Sequence, residues 1–309
     1  MEYAIGIDLG GTSIKYALVS KAGDLLFEGR LPSFANVSAA KVIEQLTKAA
    51  TMLKDEAIKQ NLTVLGIGLG TPGIVDESNR IVLGGAENIV GWENIDVASL
   101  LEKQMNLPVV VGNDASLMGL GEMKYGSGRG YTHVVFLTVG TGIGGVVFID
   151  GKPFNGYANR GMELGHVPLI ANGERCACGA VGCLEHYAST SALVRRFSAL
   201  AKERHLSFDS EINGELIVRL YHENFPTAVE CMNEHFYYLG RGIAGFVNMF
   251  SPQRVVIGGG IAESGTFYLE NIRKVVRENA IADCAVNTEI VAASLGNKAG
   301  LIGAASLIL

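Results

Sequence analysis

Three cysteines fall within eight positions of the chain, in the pattern Cys-x-Cys-x4-Cys. They are Cys176, Cys178 and Cys183, and His166 lies upstream of them. Three thiolates and one imidazole are a suitable tetrahedral ligand set for Zn²⁺, in a closed site with no open catalytic position. Gly179 and Gly182 let the short loop fold back on itself. In a reducing compartment such a cluster favours a metal over a disulfide, so the sequence predicts a structural zinc site.

Two turns rich in glycine have the residue types that bind phosphate groups. The first holds Gly10, Gly11 and Thr12, and the second holds Gly140, Thr141 and Gly142. Successive backbone N–H groups in such turns form anion-binding concavities, and glycine lets the main chain approach phosphate oxygens. Asp8 precedes the first turn, where it can hold a hydrated Mg²⁺, and Lys15 can approach a phosphate. A third run consists of Gly258, Gly259 and Gly260. Together the three segments predict a nucleotide phosphate site.

The glycine spacing at 68–73 and 140–145 also fits the loose dinucleotide-binding fingerprint. That fingerprint requires a helix directly after the glycines, whose N-terminus holds the pyrophosphate. A strand or an irregular stretch follows both patterns here, and no Gly-Lys pair is followed by Ser or Thr as in a Walker loop. Nicotinamide, flavin and Walker-type sites are therefore disfavoured, whereas an ordinary glycine hairpin stays open for each turn taken alone.

Asn113 and Asp114 form the third group of residues that are candidates for a chemical role. They follow a short predicted strand, 109–111, and open a predicted helix. A carboxylate at such a junction can project into a cleft and serve as a base. Asn-Asp is also a common cap at the start of a helix. The residues alone leave both roles open.

The chain between these motifs alternates strand, turn and helix patterns, as in an α/β protein. Strands are predicted over 3–9, 14–19, 25–29 and 64–69, and helices over 42–57 and Val97–Met105. Helices dominate from 190 to 250, ahead of a strand at 254–257. A final helix from about Asn297 is placed to return and cover the first lobe.

The opening unit of strand, glycine turn and strand occurs twice. At His133 the pattern begins again, with a strand at Val134–Val139, the second glycine turn and a strand at 146–149. A unit repeated about one domain length apart predicts a duplicated lobe. We expect one α/β lobe formed by 1–115 with the final helix at 297–309, and a larger α/β lobe, 116–296, that carries the zinc loop.

Composition and charge narrow the class of protein. The 309 residues are 48% hydrophobic and 18% charged, with 40 glycines, which suits about two buried cores and many tight turns. The net charge is −6 and no Lys/Arg-rich run is present, so a nucleic-acid surface is disfavoured. The N-terminus lacks a signal-like segment, and the apolar stretch 300–309 is too short to span a bilayer. These features predict a cytoplasmic protein with no membrane partner.

The cysteine loop also resembles a known family signature. Residues 176–185 read CACGAVGCLE, and residues 161–166 upstream read GMELGH. They resemble the CxCGxxGCxE and GExGH patterns of the ROK family (repressors, open reading frames and kinases), and the resemblance runs from Asp8 to the final helix. Two positions depart from the family pattern: Met162 stands where glycine or alanine is more familiar, and Val146 stands where a glycine is often found.

The resemblance implies a two-lobed actin-like ATPase (ribonuclease H-like) fold, with duplicated lobes and an active-site cleft between them. It implies that the two glycine turns clasp the phosphates of ATP, with Mg²⁺ near Asp8, and that the run at 258–260 lies against adenosine. It implies that Asp114 is the base that takes the proton of a sugar hydroxyl. The hexose contacts that it implies are Gly73, Asn88, Asn113, Asp114, Glu163, His166 and Glu185, with His166 shared with the zinc.

These expectations favour an ATP-dependent hexose kinase, with glucose as the first choice and N-acetylglucosamine, N-acetylmannosamine or another hexose as alternatives. Sugar-sensing transcriptional regulators of the family carry a DNA-binding segment before the first phosphate turn, whereas seven residues precede Asp8 here. An actin-like filament or chaperone ATPase leaves the cysteine loop unexplained, as well as the pair of Glu163 and His166. The resemblance also suggests a homodimer.

Overall fold

The computed structural model describes residues 2–309, which form thirteen strands and ten α-helices. The strands are β1 (Glu2–Leu9), β2 (Ser13–Ser20), β3 (Leu25–Pro32), β4 (Thr63–Thr71), β5 (Ile74–Val75), β6 (Ile81–Gly84), β7 (Ile95–Asp96), β8 (Val109–Asn113), β9 (Val134–Val139), β10 (Ile143–Ile149), β11 (Lys152–Phe154), β12 (Arg254–Gly258) and β13 (Glu289–Ala292). The helices are α1 (Ala39–Lys59), α2 (Val97–Met105), α3 (Asp114–Tyr125), α4 (Leu184–Ala188), α5 (Thr190–Glu203), α6 (Gly214–His222), α7 (Pro226–Phe250), α8 (Thr266–Asn279), α9 (Ala282–Ala285) and α10 (Ala299–Ala305). Among the helices of this described range, none combines the length and the hydropathy that crossing a bilayer requires.

Two five-stranded sheets share one strand order. The first runs β3-β2-β1-β4-β8 and the second runs β11-β10-β9-β12-β13. In the first sheet, β1 pairs antiparallel with β2 and parallel with β4, and β4 pairs parallel with β8. In the second, β9 pairs antiparallel with β10 and parallel with β12, and β12 pairs parallel with β13. The duplication predicted from the repeated strand and glycine-turn pattern is confirmed. A separate three-stranded sheet is formed by β5, β6 and β7.

By its contacts the chain divides into two compact units. The first unit consists of 2–130, Pro153–Met162 and Asn297–Leu309, and the second of Tyr131–Lys152 and Glu163–Gly296. The contact-based first unit contains the whole of α3, because α3 packs on α10 and β8. The sequence-based boundaries, 1–115 with 297–309 and 116–296, stay a prediction that differs from these units at 116–130 and 153–162.

Helix α1 shows how local sequence builds the core of the first unit. Ser38 caps it, because its side chain accepts the Lys41 N–H at 3.2 Å. The residues of its buried face recur at helical spacing, as predicted, and include Val42, Leu46, Ala49, Leu53 and Ala57. That face packs against the strands of the first sheet and against α2.

Helix α10 returns to the first unit and packs against α3, β1 and β4 at backbone contact distance. Glycines make this approach possible. A methyl group on Gly303 would overlap the carbonyl oxygen of Leu117 in α3, and one on Gly68 in β4 would overlap the carbonyl oxygen of Ala304. The helix thus covers the sheet that carries Asp8, as the sequence predicts.

Helix α7 is the central helix of the second unit, where its 25 residues pack against α4, α5, α6 and α8. Pro226 occupies its first turn, where the missing N–H costs little. His235 is fully buried on this helix, and its Nε2 lies 2.7 Å from the Tyr268 hydroxyl. Burial lowers the pKa of His235 to about 3, so the ring stays neutral in the core.

The glycine contacts of α10 predict the outcome of a matched pair of substitutions. Gly303→Ala should lower the free energy of unfolding by about 1–3 kcal/mol or more, because the new methyl group meets backbone that side-chain rotation cannot relieve. Gly245→Ala in α7 should raise it by about 0.5–1 kcal/mol, because that methyl group meets no described atom within 4 Å outside its chain neighbours and its own helix backbone, and alanine is the better helix former. Urea denaturation followed by circular dichroism measures both. Equal effects of the two variants would contradict this account of the packing.

Candidate active site

The first phosphate turn closes the β1–β2 hairpin of the first unit. The Gly10 N–H donates to the Ser13 carbonyl at 2.9 Å. Buried Ser33 holds the turn, because its Oγ donates to the Gly11 carbonyl at 3.0 Å and its N–H donates to the Thr12 carbonyl at 3.1 Å. The N–H and C=O of a trans peptide point in opposite directions. The N–H of Thr12 therefore points away from Ser33, as an anion-binding turn requires.

Asp8 lies at the end of β1, opposite Lys15 in the hairpin register. Helix α10 packs on it, so that a methyl group on Gly300 would lie 3.1 Å from Asp8 Oδ2. Burial raises the pKa of the Asp8 carboxyl, and the Lys15 ammonium partly opposes that rise. Lys15 Nζ also donates to Asn297 Oδ1 at 3.5 Å. A desolvated carboxylate beside a phosphate turn is suited to hold a divalent cation.

Asn88 lies against the first phosphate turn. A methyl group on Gly11 would lie 2.9 Å from the Asn88 side-chain nitrogen, Nδ2. The fold therefore places an implied sugar contact beside an implied phosphate contact within the first unit. Trp92 nearby is a packing residue, 2% exposed, whose Nε1 donates to Thr71 Oγ1 at 2.8 Å.

Asn113 and Asp114 divide the roles that their sequence left open. Asn113 is the helix cap: its Oδ1 accepts the Ser116 N–H at 3.0 Å, and its Nδ2 donates to the Gly73 carbonyl at 3.1 Å. Asp114 is the first residue of α3, and its Oδ1 accepts the Ala115 N–H at 2.8 Å. Because the cap is a different residue, the carboxylate of Asp114 is not needed to start the helix. Its role as base stays a prediction.

The second phosphate turn joins β9 to β10 in the second unit. The Gly140 N–H donates to the Gly142 carbonyl at 2.9 Å, and the Gly140 carbonyl accepts the Thr190 N–H at 2.9 Å. Because the Gly140 carbonyl faces Thr190, the Thr141 N–H of the same peptide points the opposite way. The Thr141 N–H thus points away from Thr190, which holds the second turn, just as the Thr12 N–H points away from Ser33 in the first turn.

A pocket of about 1110 Å³ lies beside this turn in the second unit. Its lining includes Gly140 and Thr141 from the turn and Gly260 from the third glycine run. Helices α5 and α6 begin at the pocket, where Thr190 and Asn213 line it. Helix N-termini favour anions, so the pocket suits a ligand that carries phosphate.

Most polar side chains of this pocket carry no motif that marks them in the sequence. They include Ser191, Arg195, Glu215, Arg219, Glu263 and Ser264. The sequence signals near these residues are the capping residues of α5 and α6. Ser189 accepts the Ala192 N–H at 3.1 Å, and Asn213 accepts the Leu216 N–H at 2.9 Å. Caps locate helix starts but do not show that two starts share a pocket.

The glycines that line the pocket differ from those that the fold needs. Gly259 has a φ of 97°, and a methyl group there would overlap the Val139 carbonyl oxygen, so the fold itself requires glycine. Gly140 and Gly260 have no left-handed φ, and a methyl group on either meets no described atom within 4 Å beyond its immediate surroundings in the chain. Glycine at these two positions leaves backbone open toward the pocket, which permits close approach by a ligand.

The cysteine loop brings the four predicted zinc ligands together. The ligand atoms of His166, Cys176, Cys178 and Cys183 all lie within 4.8 Å of one another. Cys178 Sγ lies 3.6 Å from Cys183 Sγ, and Cys176 Sγ lies 3.8 Å from His166 Nδ1. A tetrahedral Zn²⁺ with bonds of roughly 2.1–2.3 Å holds its ligand atoms about 3.5–3.8 Å apart. The residues fit the zinc site of the ROK family.

The loop folds as its glycines predict. Gly179 has a φ of 91° and Gly182 a φ of 77°, and a methyl group on Gly182 would overlap the Ile170 carbonyl oxygen. The Cys176 N–H donates to the Ala180 carbonyl at 2.8 Å and closes the tight turn. Burial and the neighbouring thiols raise the pKa of Cys183 to about 12. A divalent cation reverses that preference, because it stabilises thiolates.

Glu163 and His166 lie on the segment that leads into this loop. The Glu163 carbonyl accepts the His166 N–H at 2.9 Å. Gly165 between them lies against β10, where a methyl group would overlap the Ile143 carbonyl oxygen. Glu185 follows the last cysteine on α4, and its Oε2 accepts the Ile143 N–H at 2.8 Å. The contacts of all three side chains with a hexose stay predictions.

The two departures from the family pattern have structural settings. Met162 has a φ of 67°, a conformation in which glycine carries no steric cost, so glycine, one of the two residues more familiar in the family, suits this backbone better. Val146 is fully buried on β10, opposite Phe136, and serves as a core residue. Neither side chain belongs to the phosphate turn.

Comparison with known proteins identifies the family. The model of the ROK family matches residues 4–309. A glucokinase of Thermotoga maritima is 34% identical over 323 residues, which cover 98% of this chain and 96% of that protein. A xylose repressor of Caldicellulosiruptor bescii is 31% identical over 316 residues, which cover 99% of this chain and 77% of the repressor. The chain belongs to the ROK family.

A solved structure confirms the fold. A ROK family glucokinase from Streptomyces griseus, in complex with glucose and AMPPNP, matches with a TM-score of 0.85 at 31% identity, and the match covers 99% of both chains. The predicted α/β fold of the actin-like ATPases, with two mixed five-stranded sheets, is therefore confirmed. Similarity to both glucokinases and repressors means that the particular activity has to be argued from the site.

The thiol cluster predicts the metal content of the protein. We expect about one Zn²⁺ per chain by elemental analysis, and we expect Cys178→Ser to lose it, because a tetrahedral site needs its fourth ligand. Chelation should also lower the melting temperature, because binding and folding of such loops are coupled. Cys284→Ser outside the cluster is the control. Metal-free wild-type protein, or equal zinc loss in the control, would contradict the assignment.

The buried carboxyl of Asp8 predicts a pH-dependent stability difference. Folding raises the pKa of Asp8, so ionisation of this carboxyl lowers the free energy of unfolding. This destabilisation is absent in acid, where Asp8 is neutral in both the folded and the unfolded state. It reaches its full value above the raised pKa. Asp8→Asn should therefore be more stable than wild type at neutral pH, and the difference should vanish as the pH falls. Thermal melts from pH 4 to 8 without added Mg²⁺ or nucleotide measure it. A variant that is less stable at every pH would contradict this reading.

Proposed function

We propose that this protein is an ATP-dependent hexose kinase. The observation that carries the proposal is the pocket of the second unit, where the bare turn at Gly140 and Thr141 and the glycine run at Gly260 line one cavity of about 1110 Å³. Pockets for small ligands span about 300–1,000 Å³, so a nucleotide fits here. The Streptomyces griseus relative in complex with AMPPNP, an analogue of ATP, supports this choice of ligand.

The phosphates of ATP are proposed to contact both glycine turns. In the second turn the Thr141 N–H faces away from Thr190, and in the first the Thr12 N–H faces away from Ser33, so each turn offers at least one directed donor. Lys15 contributes a positive charge beside the first turn, and Asp8 is the ligand that we assign to Mg²⁺. When bound, Mg²⁺ neutralises charge on the phosphate oxygens.

The hexose is proposed to bind through hydroxyl contacts with the residues that the family resemblance implies. They are Asn88, Asn113, the Gly73 backbone, Glu163, His166 and Glu185. Carboxylates accept from hydroxyl groups, and amide side chains both donate and accept, so the set can read several hydroxyls at once. His166 faces the thiol cluster with Nδ1, which assigns Nε2 to the sugar.

Asp114 is proposed to act as the base. Its carboxylate takes the proton of one sugar hydroxyl while that oxygen attacks the γ-phosphorus of ATP. The bond from the γ-phosphorus to the bridging oxygen breaks, and ADP leaves with the electron pair. The products are a hexose phosphate, ADP and the proton held by Asp114. The position of Asp114 supports this role, because Asn113 is the N-cap of α3 and Asp114 is its first residue, at the end of β8.

Glucose is the first choice of substrate, because the relatives at 31–34% identity include glucokinases from several bacteria. N-acetylglucosamine, N-acetylmannosamine or another hexose are the alternatives within the same reaction. The family resemblance extends the proposal to a homodimer that works in the cytoplasm. Similarity to xylose repressors supports a second candidate, a sugar-binding regulator that transfers no phosphate.

A panel assay tests the proposal and separates these candidates. Protein loaded with Zn²⁺ is mixed with Mg²⁺ and ATP, and ADP release is measured with each hexose and N-acetylhexosamine. We expect release that depends on the sugar and is fastest with glucose. Saturable sugar binding without any sugar-stimulated ADP release would favour the regulator instead.

The role of Asp114 predicts a large loss of rate from a nearly isosteric change. Asp114→Asn should lower kcat by on the order of 10²–10⁴, because the amide cannot take the hydroxyl proton. Zinc content and melting temperature should stay near the wild-type values, since Asn113 still caps α3. Ser116→Ala, which alters a neighbouring side chain on the same helix turn, is the control. Near-normal turnover by Asp114→Asn would remove this residue from the role of base.

A further inference from the structure

The second phosphate turn is held by the segment that directly follows the last zinc ligand. At one end of the turn the Gly140 carbonyl accepts the Thr190 N–H at 2.9 Å. At the other end the Ile143 N–H donates to Glu185 Oε2 at 2.8 Å. Glu185 is the second residue of α4, which begins at the residue after Cys183, and Thr190 is the first residue of α5, which follows α4 across Ser189. The backbone of the turn is therefore fixed at both ends by the short segment 185–190.

Helix α4 is itself tied to the zinc loop. The Leu184 N–H donates to the Val167 carbonyl at 3.0 Å, next to His166. The Glu174 N–H donates to the Tyr187 hydroxyl at 2.6 Å, which joins the far side of the loop to the same helix. A continuous set of bonded groups thus runs from the thiol cluster through α4 to the phosphate turn, all within the second unit.

Glu185 favours phosphate binding by holding the backbone of the turn and not through its charge. A carboxylate near a phosphate group repels it. Its oxygen, however, satisfies the Ile143 N–H, and a methyl group on Gly142 would overlap that same oxygen. The carboxylate is therefore in contact with the turn over two residues, and its removal leaves the strand end of the turn unsupported.

We infer that Glu185 is a positioning residue for the nucleotide, which sets the turn at 140–143 through the Ile143 N–H, in addition to any contact with the sugar. The inference rests on the proposed function, because it assumes that this turn binds nucleotide phosphates. It also connects the zinc loop to the nucleotide, because the segment that follows Cys183 carries both Glu185 and Thr190, which bond to the turn.

Nucleotide affinity measured without any hexose separates this role from a sugar contact. Isothermal titration of zinc-loaded protein with AMPPNP and Mg²⁺ is carried out on wild type, Glu185→Ala and Glu185→Gln. Glutamine keeps a side-chain carbonyl that accepts the Ile143 N–H, whereas alanine keeps none. We expect Glu185→Ala to bind about fivefold more weakly, the loss that one hydrogen bond brings, and Glu185→Gln to bind as tightly as wild type or more tightly.

Glu174→Ala is the matched control, because it removes another glutamate that is bonded to α4. Its carboxylate pairs with His186 at 2.9 Å but is 73% exposed, so its removal should leave nucleotide affinity unchanged. Zinc content and melting temperature of each variant show whether the second unit is intact. If Glu185→Ala loses zinc, Glu185→Gln still tests the inference. A Glu185→Gln variant that keeps its zinc but binds AMPPNP more weakly than wild type contradicts it.

The outcomes are distinguishable from failure of the proposed function. Wild type that binds no AMPPNP ends the proposed function, and the inference with it. Wild type that binds AMPPNP while Glu185→Ala binds equally well overturns the inference alone. Equal weakening in Glu185→Ala and Glu174→Ala also overturns it, because the loss would then reflect general damage to α4. Weakening in Glu185→Ala alone, with Glu185→Gln intact, supports it.

Discussion

A phosphate-binding turn must expose its backbone to the ligand, and that backbone must also be rigid. Side chains would block the approach of phosphate oxygens, yet glycine is the residue that loses most conformational freedom when it is ordered. This chain meets both demands with bonds from outside each turn: Ser33 fixes the Gly11 and Thr12 carbonyls, and Thr190 fixes the Gly140 carbonyl. Ser33 directly follows β3 of the first sheet, and Thr190 follows α4, which bonds to the cysteine loop through Leu184 and Tyr187.

Much of the site could be predicted from sequence, because its chemistry is local. The zinc ligands are close in the chain, and the loop geometry follows from the left-handed backbone at Gly179 and Gly182. The glycine turns follow strands whose apolar runs are plain in the sequence, so the repeated hairpin was predictable as well. These features depend on neighbours within a few residues, which pattern and spacing can report.

Other features depend on contacts between distant parts of the chain, which spacing does not report. The burial that raises the pKa of Asp8 comes with α10, nearly three hundred residues away, where Gly300 packs against it. The bond from Ile143 to Glu185 joins two motifs that sequence reasoning treated separately. The meeting of α5 and α6 at one pocket is likewise a product of tertiary packing.

The chemistry proposed for this protein depends on Asp114, which takes the proton from a hexose hydroxyl that faces the γ-phosphate of ATP. The most direct measurement is a crystal structure of the zinc-loaded protein with glucose, Mg²⁺ and AMPPNP. We expect one Asp114 carboxylate oxygen within hydrogen-bond distance, roughly 2.6–3.2 Å, of the hydroxyl nearest the terminal phosphate. A complex in which that hydroxyl contacts a different residue, with the Asp114 carboxylate out of its reach, would exclude Asp114 as the base.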